Sequence, residues 1–186
     1  ILPAGLMRVL LDACVLYPTV MREALLAVAK TGAFDPLWSA RILEEWARAV
    51  ASKLPEQAAE ARVEIALARA DWPMAEITVD PGLERELFLP DPDDAHVLAA
   101  AITGRAQVLV TSNLNDFPTR ILATHGILRR DPDGFLCDLW QDNPAPVAAA
   151  CEEVRARAEA ISGQPQPIRA LLKKARLPRL GKSLAA

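Results

Sequence analysis

The sequence predicts an α/β fold, a parallel sheet flanked by helices, with a helical C-terminal extension. Three observations carry this. Short apolar, β-branched runs alternate with segments whose apolar residues recur at helical spacing. Gly and Pro punctuate the junctions between them. After Asp131 the strand-like runs stop and only helical patterns follow. A chain of 186 residues and 20.2 kDa suits one domain with an appendage and can bury a sizeable core.

Val9–Leu11 is an apolar run that continues past Asp12 into Ala13–Leu16, the pattern of a buried strand. Pro18 opens a helix carrying Ala24, Leu25, Leu26 and Val28, and Gly32 closes it. Leu43, Trp46, Ala47 and Val50 mark the next helix, and another follows Pro55 to about Ala70. Glu76–Val79 reads as a short strand. Asp91-Pro92 starts a helix that Gly104 stops, and Val108–Thr111 is a second strong strand. A short helix around Thr119–Thr124 precedes a final strand at Ile127-Leu128. Residues 133–141, 146–161 and 167–175 read as helices, with a Pro/Gly/Gln-rich hinge at Ser162–Pro167. The boundaries expected are 7–130 for the α/β domain and 131–186 for the extension. In an open parallel sheet the functional crevice lies beyond the carboxyl ends of the strands.

Composition excludes several classes. Apolar residues at 52% and charged residues at 24% exclude a disordered or collagen-like chain. No run approaches the roughly 18–20 apolar residues of a membrane span. Ile1–Leu6 lacks the basic start and long apolar core of a signal peptide. Cys14, Cys137 and Cys151 are far apart and lack C-x-x-C spacing, which argues against a disulfide framework or a zinc site and for a reducing, cytoplasmic setting. The net charge of -3 divides unevenly: residues 151–186 carry +5 and residues 1–150 carry -8. The basic tail reads as a phosphate-binding surface or as a solvated helix face.

Glycine-rich phosphate loops, G-x-S-x-G and H-E-x-x-H are absent. A haloacid-dehalogenase-like phosphatase is disfavoured, because Cys14 stands where its second Asp belongs. What remains is a set of acids at element ends. Asp12 closes the first strand inside an apolar stretch, where a lone carboxylate is costly unless it caps a helix or meets a cation. Glu44 and Glu45 are neighbours on a helix, so only one can face a given site. Asp94 falls in a first helical turn, where capping alone would favour an acid. Asp91 and Asp93 read as capping or solvated acids. Asn113 and Asp116 follow the second strand, as turn residues or as ligands. His96 and His125 lack partners at ligand spacing and read as structural or surface residues. Together, Asp12, Glu45, Asp94, Asn113 and Asp116 can converge on one sheet edge. Carboxylates without histidine or thiolate companions favour a hard cation such as Mg²⁺ or Mn²⁺, the ions of phosphodiester chemistry.

The strings LLDACVLYP (10–18), ILEEW (42–46), DPDDAHVLAAA (91–101) and LVTSNLNDFP (109–118), in this order, resemble the PIN domain family, and within it toxins of the VapC type. The resemblance spans roughly residues 7–130. It implies a Rossmann-like α/β/α domain and a Mg²⁺- or Mn²⁺-dependent endoribonuclease leaving 5′-phosphate and 3′-hydroxyl ends. It places the family's acids on Asp12, Glu45 (the one followed by Trp46), Asp94 and Asp116. Asp12, Asp94 and Asp116 are the implied metal ligands, with Glu45 as ligand or general base. Thr111 matches the family's supporting hydroxyl. Asn113 stands where an Asp is common, a departure that bears on a second metal. The implied partners are an RNA substrate, a small antitoxin protein and a second copy in a homodimer, with no membrane. The basic tail is expected to engage the RNA backbone, and Tyr17, Trp38 and Trp46 to stack on bases or, for the tryptophans, to pack in the core. The competing readings are a non-catalytic PIN-like module that binds RNA or protein, and a nuclease acting on DNA or structured RNA.

Overall fold

Five short strands run parallel in the order β3-β2-β1-β4-β5. The computed structural model describes residues 6–186; the signal-peptide expectation for Ile1–Leu6 therefore falls almost wholly outside the described residues. The chain runs β1 (Arg8–Leu11), α1 (Ala13–Leu16), α2 (Thr19–Lys30), β2 (Asp35–Ser39), α3 (Ala40–Lys53), α4 (Ala58–Asp71), β3 (Glu76–Ile77), α5 (Pro81–Arg85), α6 (Ala95–Thr103), β4 (Val108–Val110), α7 (Thr119–Ala123) and β5 (Leu128–Arg130). Four helices follow: α8 (Pro132–Asp142), α9 (Pro144–Ser162), α10 (Ile168–Lys174) and α11 (Pro178–Leu184). The expected α/β class and helical C-terminal extension are both present.

The central strands are apolar along their whole length because both faces are covered. Val9, Leu10, Leu11, Leu109 and Val110 are all fully buried. Sequential strands build outward from β1 through β2 to β3, and β4 then returns to the other side of β1. That reversal makes the β1/β4 junction the topological switch point, where a parallel sheet leaves its crevice open. The register Val9↔Val108, Leu10↔Leu109, Leu11↔Val110 aligns the carboxyl ends of the two strands.

Three local departures from the sequence reading have physical causes. The apolar run does not continue as a strand past Asp12. The Asp12 carboxylate accepts from the Ala13 N–H and caps α1, so Ala13–Leu16 is helical. A buried apolar run has no periodicity to tell a strand from a helix turn. Strand β2 is hidden by Pro36, which argues against an interior strand. It is tolerated because β3 pairs only with Trp38 and Ser39, beyond the proline. Helices α5 and α11 are too short to show a period. Trp38 and Trp46 are buried core residues and offer no face to a base, while Tyr17 holds the Lys53 ammonium 4.3 Å from its ring centroid.

The chain forms two compact units. One comprises the described residues up to Tyr17 with Asp35–Arg130; the other comprises Pro18–Phe34 with Asp131–Ala186. In the second unit, Phe34 meets Phe135 edge to face at 5.1 Å between ring centroids. Its α10–α11 hairpin is pinned by Asp133 of α8, a buried carboxylate that accepts from the N–H groups of Arg179 and Leu180, both at 3.0 Å. Leu171, Leu172, Leu177 and Leu180 bury the hairpin's apolar side. Among the described residues, no helix is long and apolar enough to cross a membrane.

Asp133→Ala leaves two helix-terminal N–H groups without their acceptor. It is expected to cost about 2 kcal/mol of stability. Amide exchange of residues 177–184 should accelerate before that of the sheet; uniform acceleration across the chain would refute the local pinning.

Candidate active site

Each acid of the site is placed by a different element. Asp12 follows β1 directly, and its N–H donates to Val110 O at 3.1 Å, extending the β1/β4 pairing by one step. That pairing sets Asp12 beside Thr111. The Thr111 hydroxyl donates to Asp12 Oδ2 at 2.8 Å and accepts from the Asn113 N–H at 3.0 Å. Cys14 adds a weaker thiol contact to the same Oδ2 at 3.5 Å. Thr111 is fully buried and Asp12 is 7% exposed. Burial pushes the Asp12 pKa up; the bonds from Thr111, Ala13 and Cys14 hold it back, and the negative charge of Glu45 pushes it further. The Cys14 thiol is itself raised to about 11 by burial and the Asp12 charge, so it is a neutral donor rather than a thiolate ligand.

Asp94 lies where a single turn of 3₁₀ helix, Pro92–Asp94, passes into α6. The capping explanation for this acid fails: Asp94 makes no side-chain capping bond to α6. Asp91 caps the 3₁₀ turn instead, accepting from the Asp93 N–H at 2.9 Å. Asp116 comes from the turn after β4, which Arg129 of β5 clamps by donating to Leu114 O at 2.7 Å and Phe117 O at 3.2 Å. Oxygens of Asp91, Asp94 and Asp116 lie within 4.8 Å of one another. The Asn113 amide donates to Asp116 Oδ2 at 2.7 Å and, more loosely, to Asp94 Oδ2 at 3.4 Å. Partial burial raises the Asp94 pKa to about 6, and the charges of Asp12, Asp91 and Asp116 add to it.

The two helical glutamates diverge as the helix geometry requires. Glu44 turns outward and takes a bidentate pair from Arg62 at 2.6 and 3.0 Å. Glu45 faces inward, with Oε1 2.7 Å from Nε2 of buried His96, although the ring N–H is not aligned for a hydrogen bond. His96 is thus part of the site's wall rather than a surface residue; a lone histidine in an apolar helix gave no sign of it. Beside this pair runs a groove of about 250 Å³ whose lining includes Ser39, Arg41, Ile77, Glu84 and His96.

The sequence-predicted residues Asp94, Asn113 and Asp116 meet directly, and Thr111 braces Asp12. Asp12 stands outside the three-carboxylate cluster but is close enough to raise the Asp94 pKa. Asp91 is an addition: it caps as expected, yet also joins the cluster, a position visible only once the 3₁₀ turn is known. The donor set is all oxygen, crowded and partly buried, which fits a hard divalent cation.

Comparison with known proteins agrees with this architecture. The PIN domain family matches residues 8–115, and the chain belongs to that family. Over 45 residues it is 51% identical to a Mycobacterium tuberculosis protein named "Putative ribonuclease VapC50", a match covering 24% of this chain and 27% of that protein. The chain thus matches about a quarter of its relative's length. No solved structure gives a significant match.

Two outcomes follow from the site's electrostatics. The Asp94 pKa is raised, so the metal-free fold favours the protonated acid; that stabilisation is present below about pH 4 and is lost as pH rises through about 6. In EDTA, the parent should lose thermal stability relative to Asp94→Asn between these limits, and a constant difference between the two would contradict the assignment. Thr111→Val leaves a buried carboxylate oxygen without its main donor and is expected to cost about 2 kcal/mol by chemical denaturation.

Proposed function

We propose that this protein is a Mg²⁺- or Mn²⁺-dependent endoribonuclease and the toxin of a toxin–antitoxin pair. The observation that carries the reading is the oxygen-only cluster of Asp91, Asp94 and Asp116 beside Asp12, at the switch point of a PIN-domain sheet. The relative's name supports the ribonuclease assignment. In this reading residues 7–130 carry the chemistry and 131–186 form an accessory extension. A small antitoxin protein, a homodimer and a cytoplasmic setting complete the proposal.

Asp12, Asp94 and Asp116 would hold the ion, with Asp91 as a further ligand. A bound divalent ion polarises the phosphoryl oxygen, lowers the pKa of a bound water and offsets the developing negative charge. Glu45 accepts a proton from the attacking water as general base. His96 sits against its Oε1 and limits its swing. Thr111 fixes the orientation of Asp12 by occupying Oδ2, and Arg129 holds the turn that presents Asp116. Asn113 bridges Asp94 and Asp116 without adding charge, where the resemblance would place an Asp, while Asp91 brings a carboxylate to the same cluster.

Asn113 is also the observation that supports a second reading, a non-catalytic binding module, because its amide nitrogen contacts two of the acids.

Cleavage of a pool of single-stranded and structured RNA by the full chain separates the two. Mg²⁺ or Mn²⁺ should support cleavage and EDTA should stop it. Asp12→Asn, Asp94→Asn and Asp116→Asn should each lower the rate at least about 100-fold, and so should Glu45→Gln. Glu44→Gln should stay within about threefold, since that side chain serves Arg62. Binding without cleavage in any metal would establish the second reading.

A further inference from the structure

The C-terminal hairpin carries a charge pattern unlike the rest of the surface. Between Ala160 and Ala186 the chain has six cations, Arg169, Lys173, Lys174, Arg176, Arg179 and Lys182, and no Asp or Glu. All six are exposed. None forms an ion pair among the described residues. Elsewhere several cations are matched, Arg62 and Arg48 with Glu44, Arg69 with Glu76, Arg155 with Glu152 and Glu159. Exposed cations without an ion pair among the described residues, such as Arg85, Arg105 and Arg120, are scattered singly among acids rather than clustered. Six like charges on a short hairpin repel one another, and the buried Asp133 beneath them is a single opposing charge.

The support beneath them is rigid. Asp133 pins α11, and four leucines seat the hairpin's other side. Gly181 lets α11 approach α10 closely: a Cβ there would come 3.1 Å from Leu172 Cβ and 3.2 Å from Arg169 O. Arg176 sits in the turn at φ 63, a left-handed conformation that disfavours any residue with a Cβ. Glycine would fit that turn with less strain; the chain places a cation there instead.

The chemistry of the face selects its occupant. Among the described residues, none of the large exposed apolar side chains lies beyond Ile161, and the hairpin has no aromatic residue. The buried aromatic and apolar anchors that hold most protein partners are missing. Aromatic stacking platforms for bases are missing too. What remains is dense, fixed positive charge that recognises a regular polyanion by its phosphates. We propose that the α10–α11 hairpin is a docking surface for the phosphate backbone of RNA, held without sequence preference. The choice of RNA rests on the nuclease reading; the recognition of polynucleotide phosphate does not.

The test is binding of the full chain to a fluorescent RNA of about 20 nucleotides, in EDTA, across a range of NaCl concentrations. The triple variant Lys173→Gln, Lys174→Gln, Lys182→Gln is compared with the charge-matched control Arg48→Gln, Arg62→Gln, Arg69→Gln. Each phosphate contact on a single strand contributes about 0.7 to the salt slope, so the hairpin variant should lose about 2 from it and bind at least tenfold more weakly. The control should keep the parent's slope, and a Lys→Arg triple at the hairpin positions should restore it. An unchanged slope in the hairpin variant overturns the proposal. So does an equal loss in the control, or displacement of RNA by poly-glutamate at equal charge. Binding in EDTA is read without any need for cleavage, so the two readings fail separately. A parent that never cleaves but shows the hairpin-dependent slope refutes only the nuclease; one that cleaves yet binds independently of the hairpin refutes only this surface.

Discussion

The parallel pairing of β1 with β4 is the constraint on which the rest of the structure depends. It is a long-range contact: Leu11 meets Val110 across almost a hundred residues. Because side chains alternate along a strand, a slip of one residue would exchange the two faces of these strands. Both faces are apolar, so polarity alone does not forbid the slip; the close packing of the fully buried Val9, Leu10, Leu11, Leu109 and Val110 does. The register that satisfies the core therefore also sets Asp12 beside Thr111, one residue beyond the last paired position on each strand. The site inherits its precision from the packing of Val9, Leu10, Leu109 and Val110.

The site is built at a cost that its own hydrogen bonds only partly offset. Burying an unpaired carboxylate costs several kcal/mol. Asp12 recovers part of this through the Thr111 hydroxyl and the Ala13 N–H, the second of which also starts α1. Asp94 recovers less. It makes no cap, its one polar side-chain partner is a loose 3.4 Å contact from Asn113, and its pKa rises to about 6. A side chain that contributes neither cap nor core, and that raises the charge density around it, is retained against folding stability. Arg129 shows the same priority, since it clamps the turn bearing Asp116 rather than neutralising the acids directly.

How much of this was legible in the sequence depended on whether the signal was periodic. Helices α3 and α4 were readable from apolar spacing, β1 from an unbroken apolar run and β4 from a β-branched one. Strand β2 was not, because Pro36 argues against an interior strand and only the late start of β3 makes it harmless. Motif order singled out four acids, and the aromatic residue that follows Glu45 singled it out over Glu44. Helix geometry alone leaves that choice open; the structure adds that Glu44 pairs with Arg62. Asp91 and His96 escaped because their roles arise from three-dimensional neighbours. The 3₁₀ turn swings Asp91 toward Asp116, and the inward face of α6 sets His96 against Glu45. Asp133 escaped likewise, since its partners lie 46 and 47 residues away.

The division of charge along the chain follows from these constraints. A cluster of carboxylates that attracts a divalent cation also repels a polyanion, and in salt that repulsion falls off over about 10 Å. Cations placed among the acids would pair with them, as Arg41 does with Glu84 and Arg62 with Glu44, and both functions would be lost. Segregation limits this. Residues 1–150 carry -8 and residues 151–186 carry +5, and the last acid precedes the six cations of the hairpin. The carboxylate that anchors the hairpin, Asp133, is buried beneath it, where it binds backbone N–H groups. An extension that served only to cap the fold would gain stability from a few glutamates at helical spacing beside its lysines. Their complete absence after Glu159 is a stability gain forgone, and it is intelligible where the positive field itself is the function.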